Sequence, residues 1–227
     1  MRAPISVVVP VLDAEASLAG CTSALLEGID AALIRELIVS DGGSRDGTRA
    51  IAEELGALWV SGPASRGGQI GRGCRHAQGE WLLILHADTQ LQEGWSACVA
   101  AHLAQSKKVG YFRLRFASGG VPARIVAGWA NLRSSVFGLP YGDQGLLISR
   151  ALYEAVGGYL DIPLMEDVAL ARALKGKLVA LDAYAVTSAE KYERGGWIRR
   201  GARNLTTLLR YFAGVPVERL AASYRKP

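Results

Sequence analysis

Three aspartates, Asp13, Asp41 and Asp88, each follow an apolar run, and a carboxylate pair, Glu166-Asp167, opens a segment of helical pattern. Asp41 begins the stretch Asp41-Gly42-Gly43-Ser44-Arg45-Asp46-Gly47-Thr48. Its glycines let the backbone turn sharply beneath a ligand. Asp41 can accept a hydrogen bond from a nucleobase N–H, and Asp46 stands where it can cap a following helix. The same stretch also reads as a plain strand-to-helix turn with no ligand. His86-Ala87-Asp88 ends an apolar run, where a divalent cation can bridge a carboxylate to a diphosphate. Mg2+ and Mn2+ prefer carboxylate and phosphate oxygens, commonly one or two protein carboxylates with several waters. His86 is either a further ligand or a hydrogen-bonding neighbour, the commoner role of a lone histidine. One of Glu166 and Asp167 can act as the general base for an attacking hydroxyl, if it lies within hydrogen-bond reach. The pair equally complements a helix dipole.

These side chains need a scaffold that brings strand ends together. Ile5–Val11 is apolar and rich in β-branched residues, as in a strand buried on both faces. Ala14–Gly28 reads as a helix, Leu37–Ser40 as a strand, and Asp46–Gly56 as a helix ended by its glycine. Ala57–Val60 is a short strand, Gln69–Gln78 a helix, and Trp81–His86 a continuous apolar strand. This β-α-β-α rhythm predicts an α/β fold with a mainly parallel central sheet flanked by helices and right-handed crossovers. Ligands bind such sheets at the carboxyl ends of the strands, where the three aspartates stand. Further on, Val109–Phe116 predicts an antiparallel strand and Val121–Phe137 a helix, despite Gly128. Leu146–Ser149 follows a polar turn at Gly142-Asp143-Gln144, and Pro163–Leu174 carries its acids first and its bases later, as a helix dipole favours. With no repeat and no low-complexity linker, a single domain over residues 1–227 is expected.

Hydrophobic content of 50% and aromatic content of 7% fit an ordinary globular protein with room for one large core. The apolar runs fall short of the roughly 20 residues a bilayer requires. Pro4 and Pro10 bracket a strand-like run where a signal peptide would need a basic and then an apolar stretch. Cys21, Cys74 and Cys98 are odd in number and share no metal-ligand spacing, which predicts a reduced, cytoplasmic protein without disulfides. The net charge of +5 concentrates after Lys191, at Arg194, Arg199, Arg200, Arg203, Arg210, Arg219, Arg225 and Lys226. Such an end suits nucleic acid, anionic lipid or a phosphorylated substrate. No aromatic-rich nucleic-acid motif accompanies it, so nucleic acid is not expected. Between Trp197 and Phe212, the apolar Ile198, Leu205, Leu208, Leu209 and Phe212 recur at near-helical spacing among arginines. That pattern fits a helix lying on an anionic membrane and equally one closing the core with snorkelling arginines.

Taken together, these motifs resemble the family 2 glycosyltransferases, which have the GT-A fold. Pro10-Val11-Leu12-Asp13-Ala14-Glu15 resembles the family's P-V-Y-N-E-E opening, with Asp13 in the asparagine place and Ala14 where a glutamate is common. The Asp41–Thr48 stretch resembles D-D-G-S-T-D-G-T, which puts Asp41 at the base-binding aspartate. Arg66–Glu80 resembles the segment that crosses the nucleotide diphosphate. His86-Ala87-Asp88 occupies the D-X-D place, His86 replacing the first aspartate, and Glu166-Asp167 the acidic pair of the catalytic base. The likeness runs from Ile5 to Leu174. More narrowly, Leu85-His86-Ala87-Asp88-Thr89, Gly142-Asp143-Gln144 and Ile162–Asp167 resemble a subgroup of small soluble bacterial members.

The resemblance implies that Pro10, Leu12, Asp13, Glu15, Asp41, Gly43, Ser44, Arg66, Gln69, Ala87 and Asp88 bind a nucleoside-diphosphate sugar, a UDP-sugar first and a GDP-sugar next. Mn2+ or Mg2+ would sit on Asp88, with His86 as a second candidate ligand. Asp167 would be the base, Glu166 its companion, and Asp143 and Gln144 would line the acceptor side of an inverting displacement. Residues 1–116 then form the donor half, 117–190 the acceptor half, and 191–227 a basic amphipathic end. A lipid-linked acceptor would account for a membrane-facing end, placing the protein in the cytoplasm at the inner face of the cytoplasmic membrane. A sugar nucleotidyltransferase would need a glycine-rich basic loop where Pro10–Glu15 stands. A degenerate, nucleotide-binding relative without turnover would account for His86, but not for the retention of Asp41, Asp88, Glu166 and Asp167.

Overall fold

A computed structural model describes residues 2–224, so Arg225 and Lys226 of the basic end lie outside the described residues. The first strand, β1 (Ile5–Val11), is buried along nearly its whole length. Its side chains alternate between two cores. Val7, Val9 and Val11 join Leu18, Leu83 and Trp95 on one face, while Val8 joins Ile38, Ile70 and Leu82 on the other. The chain continues through α1 (Glu15–Ser23), α2 (Leu26–Asp30), β2 (Ile34–Asp41), α3 (Thr48–Glu54), β3 (Leu58–Ser61), α4 (Arg66–His76) and β4 (Trp81–Ile84). β1 pairs in parallel with β2 and β4, and β2 with β3. Parallel pairing puts the loops carrying Asp13, Asp41 and His86–Asp88 on one edge.

The helix expected over Ala14–Gly28 is two helices. The break seats the fully buried Trp95, whose indole N–H donates to the Ala24 carbonyl at 2.9 Å. The same ring lies so close to Gly28 that a Cβ there would stand 2.5 Å from it. The glycine cap of α3 is present: Gly56 has φ +64, and the amide of Ala57 returns to the Ala52 carbonyl.

The second half contains β5 (Thr89–Leu91), α5 (Trp95–Gln105), β6 (Val109–Phe116), α6 (Val121–Phe137), a 3-10 turn (Gly142–Gln144), β7 (Leu146–Ser149), α7 (Arg150–Ala155), α8 (Glu166–Ala173), β8 (Leu178–Thr187), α9 (Glu190–Gly195), α10 (Trp197–Phe212) and α11 (Val217–Tyr224). The sheet runs β3-β2-β1-β4-β7-β6-β8-β5. The α/β class holds, and the sheet is mixed: β1–β4, β1–β2 and β2–β3 are parallel, as expected, and so is β6–β8, while the other pairs are antiparallel. β7 is antiparallel to β4 and β6, and β5 antiparallel to β8. β6 meets β7 antiparallel at a single pair and lies parallel to β8 along most of its length, which departs from the expectation of a simple antiparallel strand. Its parallel partner arrives only after α7 and α8, a crossover that the pattern of β6 itself does not record. The expected helix at Pro163 begins only at Glu166, because Met165 takes a left-handed conformation with φ +67.

α10 packs on the core along one side only. Thr207 and Leu208 are buried, Leu208 in a cluster with Val168 and Leu220, while Ile198, Leu205, Leu209 and Phe212 stay exposed.

One close approach fixes α4 against the loop before α8. A Cβ on Gly67 would stand 1.8 Å from the Leu160 carbonyl oxygen and 3.2 Å from Cβ of Glu166. Gly67→Ala therefore forces helix and loop apart and should cost about 1–3 kcal/mol in urea unfolding. Gly71→Ala, one turn along the same helix, meets nothing nearer than 3.7 Å and should be neutral or stabilising.

Candidate active site

The edge of the sheet is fixed by the starts of α1 and α3, whose first amides lack partners within their own helices. Each helix caps the other. The Glu15 amide donates to Asp46 at 2.9 Å and the Gly47 amide to Glu15 at 2.9 Å. The Ala14 amide donates to the Thr48 hydroxyl at 2.8 Å. Asp46 also accepts from the Thr48 amide, so one carboxylate serves both helix starts. The Thr48 hydroxyl, then the amides of Glu15 and Thr48, hold Asp46 below the usual carboxylate range. Asp13, at φ +50, accepts from the Arg45 amide at 2.8 Å, and its own amide donates to Ser44 at 2.9 Å. Asp41 is buried and accepts from the Gly43 and Ser44 amides, each at 2.9 Å.

Gln69 is buried where β1 and β2 end. Its amide nitrogen donates to the Val11 and Ser40 carbonyls at 2.7 and 3.2 Å, which ties α4 to both strands. Arg72, which the sequence reading passes over, adds a 2.8 Å bond to the Asp41 carbonyl.

Of the openings in front of this edge, two meet at Asp88. A cleft of about 840 Å3 is lined by Pro10, Leu12, Asp13, Arg66, Gln69, Ala87 and Glu166. A smaller pocket of about 150 Å3 is lined by Tyr141, Asp143, Asp167, Tyr192, Asn204 and Thr207. Arg66, His86, Asp88 and Lys191 line both. Of the expected donor-binding residues, Glu15, Asp41, Gly43 and Ser44 are not in the cleft wall; they build the turn beside it.

Asp88 sits at the junction, 3.1 Å from the Lys191 ammonium. Burial works against its charge, but Lys191 and His86 together outweigh burial and hold the carboxyl below its ordinary range. Sequence reasoning missed Lys191 as a site residue, counting it only as the start of the basic end. The available signal is its place four residues past β8, on the same edge as the aspartates. His86 packs against the 3-10 turn so closely that a Cβ on Gly142 would stand 2.3 Å from its Nε2. Among the described residues, no three His, Cys, Asp or Glu side chains group to hold a metal ion.

The acidic pair divides between the openings, as the ~100° step between neighbouring helical residues requires. Glu166 is buried in the cleft wall with Oε1 3.8 Å from Arg66 and Oε2 unpartnered. Burial, then the charge of Asp167, pushes Glu166 up to about 7. Asp167 is half-buried in the smaller pocket, accepting from the Gly142 amide at 3.2 Å and the Val168 amide at 2.7 Å. Beside it, Asp143 Oδ1 is enclosed and unpartnered, and burial raises the carboxyl above its usual range.

Gln144 departs from its expected place on the acceptor side. It is fully buried, donating to the Phe112 carbonyl at 3.2 Å and accepting from Ser134 at 2.5 Å, so it anchors the turn rather than lining the pocket. The outer wall is an aromatic cluster in which Tyr192 stacks on Trp197 at 5.0 Å and Phe116 meets Trp197 edge-on at 5.0 Å.

The chain matches the sequence profile of Glycosyl transferase family 2 over residues 6–143. No curated protein matches it. Its fold is similar to that of S. aureus TarS 1-349, with a TM-score of 0.63 and 16% identity over 90% of this chain and 64% of that one. The chain thus spans less than two thirds of TarS 1-349. It is also similar to the mannosyltransferase PcManGT from Pyrobaculum calidifontis, solved with GDP-Man and Mn2+, with a TM-score of 0.65 and 20% identity over 90% and 62% of the two chains. Glucosyl-3-phosphoglycerate synthase from Mycobacterium tuberculosis, solved with Mn2+ and UDP-glucose, gives a TM-score of 0.62 and 20% identity over 94% and 80%.

The raised Glu166 makes stability depend on pH. Its folded value of about 7 lies above its ordinary 4.5, so across that interval the folded protein keeps a proton that the unfolded chain releases. Its contribution to stability is therefore highest below about 4.5 and falls as pH rises to about 7. Glu166→Gln removes this titration. Its stability relative to wild type should rise over that window by roughly 1–3 kcal/mol and then level off. Chemical denaturation at several pH values checks this, and a difference independent of pH would refute it.

Proposed function

We propose, because this chain belongs to glycosyl transferase family 2 and glycosyl transfer is therefore its chemistry, that it moves a sugar from a nucleoside diphosphate to an acceptor hydroxyl with inversion at the anomeric carbon. The observation that carries the reading is the division of Glu166 and Asp167 between two joined openings, with Asp88 at the junction. The nucleotide would lie in the larger cleft, its base against Pro10–Asp13 beside the Asp41 turn. Its diphosphate would meet Arg66 and Lys191, two cations already in the wall. We favour a UDP-sugar and place a GDP-sugar next; similar folds have been solved with UDP-GlcNAc, UDP-glucose and GDP-Man.

A divalent cation fits this wall only when shared with the donor. The chain offers one carboxylate, Asp88, and one neighbouring imidazole, His86, a set that suits Mn2+ or Mg2+ when phosphate oxygens complete it. Lys191 would then turn from Asp88 to the phosphates. Such a cation would neutralise charge on the departing diphosphate.

In the smaller pocket, Asp167 takes the proton of the acceptor hydroxyl as its oxygen bonds to C1 and the bond from C1 to the phosphate oxygen breaks. One displacement inverts the centre, and nucleoside diphosphate leaves. Asp143, with Tyr141 behind it, belongs to the acceptor wall. On this reading, within one domain, residues 1–116 serve the donor, 117–190 the acceptor, and the basic end that starts at Lys191 closes the pocket with its described residues up to Tyr224. A nucleotide-binding relative without turnover is the second reading, favoured by the Asp88–Lys191 ion pair.

Thermal stabilisation by UDP and GDP, each with and without Mn2+, identifies the base and the cation requirement. A nucleotide at 100 times its dissociation constant contributes about 2.7 kcal/mol. Asp88→Ala should abolish the Mn2+-dependent part of that stabilisation. With the best donor, Asp167→Asn should keep donor binding while nucleoside-diphosphate release slows about 10²–10⁴-fold. Release near the wild-type rate would remove Asp167 as the base, and absence of any release by wild type would favour the silent relative.

A further inference from the structure

We propose that the outer faces of α6 and α10 form a docking surface for an anionic lipid bilayer, beside the pocket that holds Asp167. α6 exposes Val121, Ile125, Trp129, Leu132 and Val136, spaced by three and four residues as one stripe along the helix. α10 exposes a second stripe at intervals of seven, four and three residues, Ile198, Leu205, Leu209 and Phe212, with Ile198 88% accessible. The stripes are adjacent, because Trp129 and Leu205 line one crevice between the helices. Large apolar side chains in such an array are unusual on a free surface and mark a contact face.

Charge selects the occupant. Neither helix contains an aspartate or glutamate, whereas α6 carries Arg124 and Arg133 and α10 carries Arg199, Arg200, Arg203 and Arg210. Arg124 and Arg199 are exposed beside the stripes; Arg133 is buried, Arg200 lines the smaller pocket, and Arg203 and Arg210 are half-buried and bonded to α11. A second copy would bring arginine against arginine with no carboxylate on either helix to pair with it. Anionic headgroups supply the missing charge, and an apolar face flanked by the exposed Arg124 and Arg199 matches the boundary between headgroups and acyl chains. Among the described residues no helix is long and apolar enough to cross a membrane, so the contact lies along the surface.

α10 shares its length between this surface and the smaller pocket, whose wall includes Arg200, Asn204 and Thr207. A bilayer on the outer face would stand one helix away from Asp167. On the reading that this pocket takes the acceptor, the acceptor hydroxyl belongs to a lipid-borne molecule.

The test uses the whole chain with sedimented vesicles of phosphatidylcholine alone and of phosphatidylcholine with phosphatidylglycerol. Wild type should sediment only with the anionic vesicles, and added salt should release it. The double variant Ile198→Glu, Leu209→Glu alters two exposed side chains, so its melting temperature and its stabilisation by UDP with Mn2+ should match wild type. Its partition onto the anionic vesicles should fall by about tenfold or more. Equal partition of variant and wild type would overturn the proposal, as would no sedimentation with anionic vesicles. So would a wild-type dimer in sedimentation velocity that the variant converts to monomer, since the face would then belong to a second copy. None of these results depends on glycosyl transfer, so the two readings fail separately.

Discussion

Two helices that begin side by side at the edge of a sheet create a demand for hydrogen-bond acceptors, and the organisation of this molecule follows from how that demand is met. The starts of α1 and α3 leave amides unpaired, and the side chains of Asp46, Glu15 and Thr48 answer across the gap. Asp13 and Asp41 do the same for the turn between them. Four carboxylates near the strand ends are thereby committed to backbone. The polar groups that remain for a ligand are a separate set: Arg66, His86, Asp88, Glu166 and Lys191, all in the cleft wall. The first set holds the edge rigid, and the second is left exposed or incompletely paired.

The same separation explains what the sequence discloses. β1 and β4 are legible because burial on both faces demands near-continuous apolar runs, and β2 only over Leu37–Ser40, since its first residues, Ile34-Arg35-Glu36, are half-buried and partly charged. β8 escapes such reading. Its Ala-rich, half-exposed pattern with Asp182 and Tyr184 lacks a run of that kind, yet it pairs with both β6 and β5 and so sets the direction of half the sheet. Strand direction is a property of crossovers, and no local pattern encodes it.

At the site, Asp88 and the Glu166-Asp167 pair are visible from their positions at element ends. Lys191 is not, because its relation to Asp88 spans 103 residues and depends on β8 ending at the same edge. Gln144 errs in the other direction. It adjoins Asp143 in sequence, but in the tight turn the two side chains part, one to the pocket and one to Ser134 and Phe112 in the interior. Adjacency in sequence is therefore a poor guide in a turn and a good one in a helix, where the angle between successive side chains is fixed.

That fixed angle has a consequence for how such a site can diversify. Glu166 and Asp167 are joined by one peptide unit, with a rise of about 1.5 Å along α8 between them. The two chambers therefore share a single origin of measurement inside one covalent segment. Motions of the surrounding loops can enlarge or narrow either chamber, but they cannot alter the offset between the two carboxylates' backbone positions. On the proposed function, a lineage can then rebuild the walls for a different donor or a different acceptor one residue at a time, while the two reactants keep their mutual alignment.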